Sequence, residues 1–449
     1  LLDNLASAFD SFFATAVDYA WGMPLIVGLV GAGIYFTIAG RFLPFRALKH
    51  AVQILTGKFD NPDDPGEISH FQALSSALSA TIGMGNIAGV AIAVSMGGPG
   101  AIFWMWVAGL VGMSTKFFTC TLACLYRKKD ERGIEQGGPM YFIEVGLGKY
   151  FKPLAVMFAV FGMIGCLAMF QTNQLSGLLY ADWGISRLGT GIVSCLIVGV
   201  VILGGIVRVG QVTSKIVPGM FVLYIIAAMY VILSNIAAVP GILYSIVDQA
   251  FGGEALIGGG TGVAFREVIH QGIRRAAFSN EAGLGTAPMA HGAAKTKEPV
   301  REGLIAMLGP FLDTNIVCTM TALVILSTGV SAADDGVVMT VNAFAKAMPN
   351  VGRYVLTLII VLFSISTMIS YSYYSLKCSR YLFGWKFGSY YIYVYILSLI
   401  LAAVWTQDML LNFLDTFFAM MAIPTLIGTL LLSPAVLRAT RDYFKRMKL

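Results

Sequence analysis

Ten stretches of this chain are long and apolar enough to cross a bilayer, at residues 21–39, 71–95, 98–126, 153–180, 188–207, 212–239, 303–330, 353–376, 390–405 and 409–432. The second is the most informative. Its centre reads SATIGMGNIAGVA, with Gly83 and Gly85 flanking Met84. A glycine pair weakens a helix at a depth where no water repairs freed backbone groups, and irregular backbone survives there only if buried in protein or lining a polar cavity. The pattern predicts a broken helix, and a broken helix points to a small-solute site.

Composition agrees with that class. Of 449 residues, 57% are hydrophobic and only 12% charged, about half the charge of a soluble domain. The net charge of +6 does not argue for nucleic acid, because the basic residues sit in short blocks between apolar runs, as in cytoplasmic membrane loops. Cys120, Cys124, Cys166, Cys195, Cys318 and Cys378 lie in or beside apolar runs without a CxxC, which reads as small core residues rather than a metal or disulfide set. Asp3, Asp10 and Asp18 without a Lys or Arg in the first twenty residues lack the basic region of a signal peptide, so the first span is expected to remain in the mature protein.

Ten crossings do not satisfy the charges. Arg41, Arg46, Lys49 and Lys58, then Arg127 to Lys152, mark cytoplasmic loops and put the N-terminus outside, but strict alternation then places Lys377, Arg380 and Lys386 outside as well. A hidden crossing at 262–292, which carries Arg266, Glu267, Arg274 and Arg275 and then NEAGLGTAP, repairs the alternation. With eleven crossings, 23 of the 30 Lys and Arg fall in cytoplasmic loops and three outside, with the C-terminus inside. GLG at Gly283 to Gly285 interrupts this span as GMG interrupts the other. An extracellular surface helix with a re-entrant loop is the alternative.

Beyond the first span, the remaining ten divide into five and five, each set opening with a glycine-broken helix. An odd number of spans per set forces opposite orientations, the inverted-repeat plan of secondary transporters with the site at the midplane. The expected organisation is an extra N-terminal helix in 1–50, a first repeat in 71–239, a second in 240–435 and a basic cytoplasmic tail in 436–449.

Downstream of the first break lies GGPGAIFWMWVAGLVG, Gly97 to Gly112. With TIGMGNIAGVA and SNEAGLGTAP, it resembles the alanine or glycine:cation symporter family, over essentially the whole chain. The resemblance implies an all-α, LeuT-type five-plus-five fold with one extra N-terminal helix in the plasma (inner) membrane, facing lipid. It also implies sodium-coupled uptake of small neutral amino acids such as alanine, glycine or D-alanine. No cofactor is expected, with Na+ as the coupling ion and no nucleic acid as partner.

The residues of the first break have a physical reading beside the resemblance. Amides opening its second half-helix, at Met84 and Gly85 within Gly83 to Asn86, are donors at the positive end of a dipole and suit a carboxylate. By the resemblance, Ser79 and Ile82 give carbonyls to sodium and Thr81 gives one to the substrate amine; the other reading is that the glycines allow close packing. The resemblance likewise assigns sodium the carbonyl of Phe363 and the hydroxyls of Ser366 and Thr367, residues that otherwise back-bond along their helix. At the second break it puts Phe278 over the pocket with Ser279, Asn280 and Glu281 beside it, and Phe170 and Gln171 across the site. Gln171 offers donors and an acceptor to a zwitterion, or an interhelical hydrogen bond.

Lys116, Glu281, Asp313 and Asp415 lie within spans, where each facing lipid would cost about 2.5–3.5 kcal/mol, so they are expected to face the interior. Lys116 is expected to pair with Asp313, Glu281 to act in coupling or as a helix cap, and Arg274 and Arg275 either to close an external gate with an acid or to line a solvated vestibule. A proton-coupled carrier of the same fold, using Glu281 or Asp313, and an ion channel are the alternatives. No HExxH or GxSxG occurs in a span to suggest an enzyme.

Overall fold

The computed structural model covers residues 2–251, 261–330 and 336–448. Helices α1 (Leu2–Ala20) and α2 (Met23–Ala39) meet at a 43° bend. The hydropathy pattern starts this region at residue 21, because the aspartates of α1 lower its apolar average. At the bend Trp21 is fully buried and donates from Nε1 to the carbonyl of Asp415, 2.8 Å away.

The first set opens with α3 (His70–Thr81), started by a capping box in which Ser69 and Gln72 satisfy each other's amides. It stops at Ile82, whose ψ of 94° leaves the helical region. A π-helical turn, Gly85–Gly89, then leads into α4 (Val90–Gly97), bent 49° from α3. Next come α5 (Gly100–Leu125), a small hairpin of β1 (Lys128–Lys129) and β2 (Glu135–Gln136), and α6 (Pro139–Leu147). Helices α7 (Lys152–Gly165), α8 (Met169–Trp183), α9 (Arg187–Ile202) and α10 (Gly205–Ser234) complete the set. The span expected at 153–180 is one apolar run, Lys149–Trp183, with an internal helix break where Cys166 to Ala168 leave the helical path. All the residues around that break are apolar, so hydropathy does not register it.

The second set comprises α11 (Val239–Ala250), α12 (Thr261–Asn280), α13 (Ala287–His291), α14 (Pro299–Ala306), a π turn at Phe311–Cys318 and α15 (Thr319–Thr328). Then follow α16 (Gly336–Ala347), α17 (Gly352–Ser389), α18 (Tyr391–Val404) and α19 (Gln407–Met447). Helix α17 continues past the expected end at 376, so Lys377 and Arg380 are helical rather than in a loop. The segment expected as a basic tail is the end of α19. It docks through Tyr443 Oη, 2.7 Å from His50 Nε2, and a bidentate Arg446–Glu298 pair at 2.6 and 2.9 Å.

Among the described residues, six helical runs are long and apolar enough to span a bilayer, counting the interrupted Lys149–Trp183 and Pro299–Thr328 as one each, or eight if each of the two bent pairs is one span. Helix α12 is not one of them, being too polar, and α9 and α18 are too short. The polar α12 is instead held inside the protein, against α4 and α5. A Cβ on Gly272 would lie 2.5 Å from the carbonyl oxygen of Ala101, so α12 sits on α5 backbone to backbone, as small residues permit in membranes. Helix α17 packs on α3, α7 and α10 and faces the first break.

Candidate solute site between two broken helices

Neither Gly83 nor Gly85 has a positive φ, so torsion does not demand them. Proximity does. A Cβ on Gly83 would stand 2.5 Å from Thr367 Oγ1, and one on Gly85 would stand 3.1 Å from Ser279 Cα. The two breaks therefore touch, with α17 alongside. Gly83 donates its amide to Asn86 Oδ1 at 2.8 Å, whereas the amides of Met84 and Gly85 have no hydrogen-bond partner among the described residues. Those two remain available to an anionic group at the start of a helical turn.

On the other side of the break, oxygens from α3 and α17 converge. Thr367 Oγ1 donates to the carbonyl of Ser79 at 2.8 Å, Ser79 Oγ to the carbonyl of Ser366 at 2.7 Å, and Ser366 Oγ to the carbonyl of Phe363 at 3.0 Å. Ser79, Ile82, Phe363, Ser366 and Thr367 are each fully buried. No grouping of three or more His, Cys, Asp or Glu suited to a metal occurs among the described residues. The donor set is neutral and hard, which suits a monovalent cation held by converging dipoles.

The second break is built differently. Glu281 adopts φ 55°, rare for a residue with a side chain, and Gly283 and Gly285 follow at 90° and 94°. Two hydroxyls, of Thr286 and Tyr371, donate to the Glu281 carboxylate and hold this turn. Asn280 Oδ1 accepts from the amide of Ala282 at 2.9 Å, while its Nδ2 donates to Thr314. Asn280 and Glu281, expected beside the substrate, thus direct their polar groups into the protein. The Thr81 hydroxyl back-bonds to the carbonyl of Ala77, which leaves its own carbonyl, the group expected at the substrate amine, unaffected.

Asp313 is the hub between the breaks. Asn86 Nδ2 donates to its Oδ1 at 2.6 Å, and Ser279 Oγ and Thr314 Oγ1 donate to its Oδ2 at 2.8 Å. The expected Lys116–Asp313 pair does not form, because Asp313 is already surrounded by these three donors. Lys116, 2% exposed, makes no hydrogen bond or ion pair with any described residue, although Glu281 and Asp313 both act on it electrostatically.

Phe278 stands edge-on to Phe170 at 5.2 Å and to Phe418 at 5.4 Å, forming an aromatic layer beside Gly85. Gln171 follows Phe170. Thr172, Asn173 and Gln174 all hydrogen-bond within the protein, but the buried Gln171 Oε1 has no partner. One helical turn before Phe278, Arg274 and Arg275 both reach Asp415 Oδ2, with donor distances of 2.6 and 2.7 Å. All three are buried, so the acid for these arginines is Asp415 on α19.

Sequence reasoning named Asp313 as an intramembrane charge, a partner for Lys116 and a candidate proton carrier, but not as a hub between the breaks, and it missed Phe418, Tyr371 and Thr286. Tyr371 had a readable signal, four residues beyond Thr367 on the same helix face. The π turn that aims Asp313 at both breaks had none.

Discontinuous helices surrounding buried, neutral oxygen donors define a multi-pass membrane transporter, not an enzyme. The chain belongs to the sodium:alanine symporter family, whose model matches residues 6–449. It is 41% identical over 445 residues to the sodium/alanine symporter AgcS of Methanococcus maripaludis, covering 97% of each chain. It is 36% identical to the probable sodium/glutamine symporter GlnT of Bacillus subtilis, covering 96% of this chain and 90% of that one. The crystal structure of MhsT in complex with L-phenylalanine resembles it in fold, with a TM-score of 0.50 and 15% identity over 84% of this chain and 81% of that one.

Proposed function

We propose that this protein couples inward sodium movement to uptake of small neutral amino acids, alanine foremost, by alternating access. The observation that carries the reading is the neutral oxygen cluster of Ser79, Phe363, Ser366 and Thr367 placed directly behind the first break. The substrate carboxylate lies on the amides of Met84 and Gly85, and Gln171 supplies the free polar side chain opposite. Sodium occupies the cluster, completed by the carbonyl of Ile82, and holds the half-helix and α17 together. Phe170 and Phe278 cover the substrate, and the Arg274, Arg275 and Asp415 group closes the external side. Eleven crossings in the plasma membrane, with the N-terminus outside and the C-terminus inside, give the orientation that the basic loops require.

A second reading keeps the fold and replaces sodium by a proton. It rests on Lys116, Glu281 and Asp313, whose formal charges leave one uncompensated negative charge in the buried centre. Counterflow of labelled alanine into proteoliposomes separates the two. Uptake that requires sodium and is not restored in choline by an inward proton gradient is expected. Equal uptake in choline would replace the first reading by the second, and no alanine counterflow under either condition would remove both.

A further inference from the structure

At the end of the molecule assigned to the cytoplasm lies a cavity of about 770 Å³, between the segment leading into α3, the β1–β2 hairpin, the start of α10 and the end of α17. Both Glu67 and Lys377 line it. Lys377 is only 3% exposed, and its Nζ donates to the carbonyl of Met289 and to Tyr373 Oη, each at 3.0 Å. The Glu67 side chain makes no hydrogen bond or ion pair with any described residue, so these two opposite charges face one space without closing on each other. Of the other charged residues lining the cavity, Lys129, Glu131 and Lys152 have no hydrogen-bond or ion-pair partner among the described residues, and the rest are engaged elsewhere. Lys128 pairs with Glu144 and Arg132 with Asp130, while the guanidinium groups of Arg132 and Arg380 stack on Trp385, 3.2 and 3.5 Å from its ring centroid.

A polar track joins this cavity to the oxygen cluster. Thr367, Ser370, Tyr374 and Lys377 recur at helical spacing along one face of α17. The hydroxyls of Ser370 and Tyr374 are buried without a hydrogen-bond partner. Unsatisfied buried hydroxyls are costly, and a polar solute passing along this face would satisfy them.

We propose that the cavity is a second binding site for the transported zwitterionic amino acid, with Lys377 taking its carboxylate and Glu67 its ammonium group. The proposal rests on the amino-acid reading above. It differs from a simple anion site, such as one for phosphate or a lipid headgroup, in requiring Glu67. Binding here is weaker than at the central site, since Lys377 is already partly engaged, and it holds the solute after release from the broken helices.

Full-length protein labelled with 5-fluorotryptophan reports on the cavity through the ¹⁹F resonance of Trp385, identified by its loss in Trp385→Phe. L-alanine is expected to shift this resonance in the Gln171→Ala variant, whose central site is impaired, and Glu67→Gln on that background should weaken the titration about fivefold or more. Inorganic phosphate should leave it in place. An unshifted Trp385, an unchanged titration in Glu67→Gln, or an equal response to phosphate would each overturn the second site. Sodium-dependent binding of labelled alanine to the wild type, measured in parallel, tests the central site separately. Its presence with a silent Trp385 refutes the cavity alone, and its absence refutes the amino-acid reading.

Discussion

The hydroxyl of Thr367 donates a 2.8 Å hydrogen bond to the carbonyl oxygen of Ser79, tying the end of the first half-helix to the middle of α17. Ser79 returns the contact through its own hydroxyl to the carbonyl of Ser366. The two helices thus share oxygens that a cation would also use, so cation binding and the position of the half-helix are one equilibrium. Thr367→Ala is expected to raise the sodium concentration for half-maximal uptake, and the double change with Ser366→Ala to raise it further. Each lost hydroxyl should cost about 1 kcal/mol, roughly fivefold in affinity. Sodium titrations at saturating alanine check this, and an unchanged sodium dependence in the double variant would remove the ion from this cluster.

Gly85 tests the contact between the two breaks. Its missing side chain leaves room for Ser279 Cα at 3.1 Å and Phe278 Cδ1 at 3.5 Å from where a Cβ would stand. Valine there must push the second break away and fill the space beside the free amides. Gly85→Val is expected to lose alanine binding by at least about tenfold, since overpacking costs about 1–3 kcal/mol, while remaining in the membrane. Binding to the purified variant, alongside its yield in the membrane fraction, decides it. Ordinary affinity would show that the carboxylate lies elsewhere.

Legibility in the sequence followed the physics of each feature. The break at Gly83 to Gly85 and the polar α12 with GLG were readable because glycine and charge inside a span are improbable without a purpose. The break between Gly165 and Met169 was invisible, since a run of apolar residues scores alike whether its backbone is helical or not. For the same reason α17 overran its expected end: Lys377 looks like a loop residue until Met289 and Tyr373 are seen receiving its ammonium group. Pairing of charges was least readable. Asp313 takes donors from the first break, from α12 and from its neighbour Thr314, and only folding reveals that Lys116 is not one of them.

Asp415 holds Arg274 and Arg275 with a single oxygen, and no other carboxylate is hydrogen-bonded to either among the described residues. Removing one partner of a buried pair leaves an uncompensated charge, at a cost of about 3–5 kcal/mol. Asp415→Asn should therefore lower the melting temperature and slow uptake. Adding Arg275→Gln to Asp415→Asn should recover part of the stability without restoring normal uptake, because one buried cation then fits the site but the closure is weakened. Thermal melts of the single and double variants check this. A double variant no more stable than the single would show that the arginines are solvated rather than paired.

The aromatic layer sets the last expectation, which concerns size. Phe278 is fixed between Phe170 and Phe418, and its ring also approaches Gly85, so side chains beyond a methyl group have little room to displace it. Alanine should displace labelled alanine best, with glycine weaker for want of a methyl contact worth up to roughly 1 kcal/mol, and serine also weaker. Leucine, phenylalanine and glutamate should compete at least about tenfold less well, as a rigid pocket rejects them by overpacking at about 1–3 kcal/mol. D-alanine should fall within about tenfold of L-alanine, because backbone amides hold the carboxylate and Gln171 is free to follow the amine. Shortening the lid makes the argument specific to these rings: Phe278→Ala should weaken alanine while improving glutamine or leucine relative to it. Competition by this panel against both proteins is the measurement, and strong displacement of alanine from the wild type by leucine or phenylalanine would show that the layer yields.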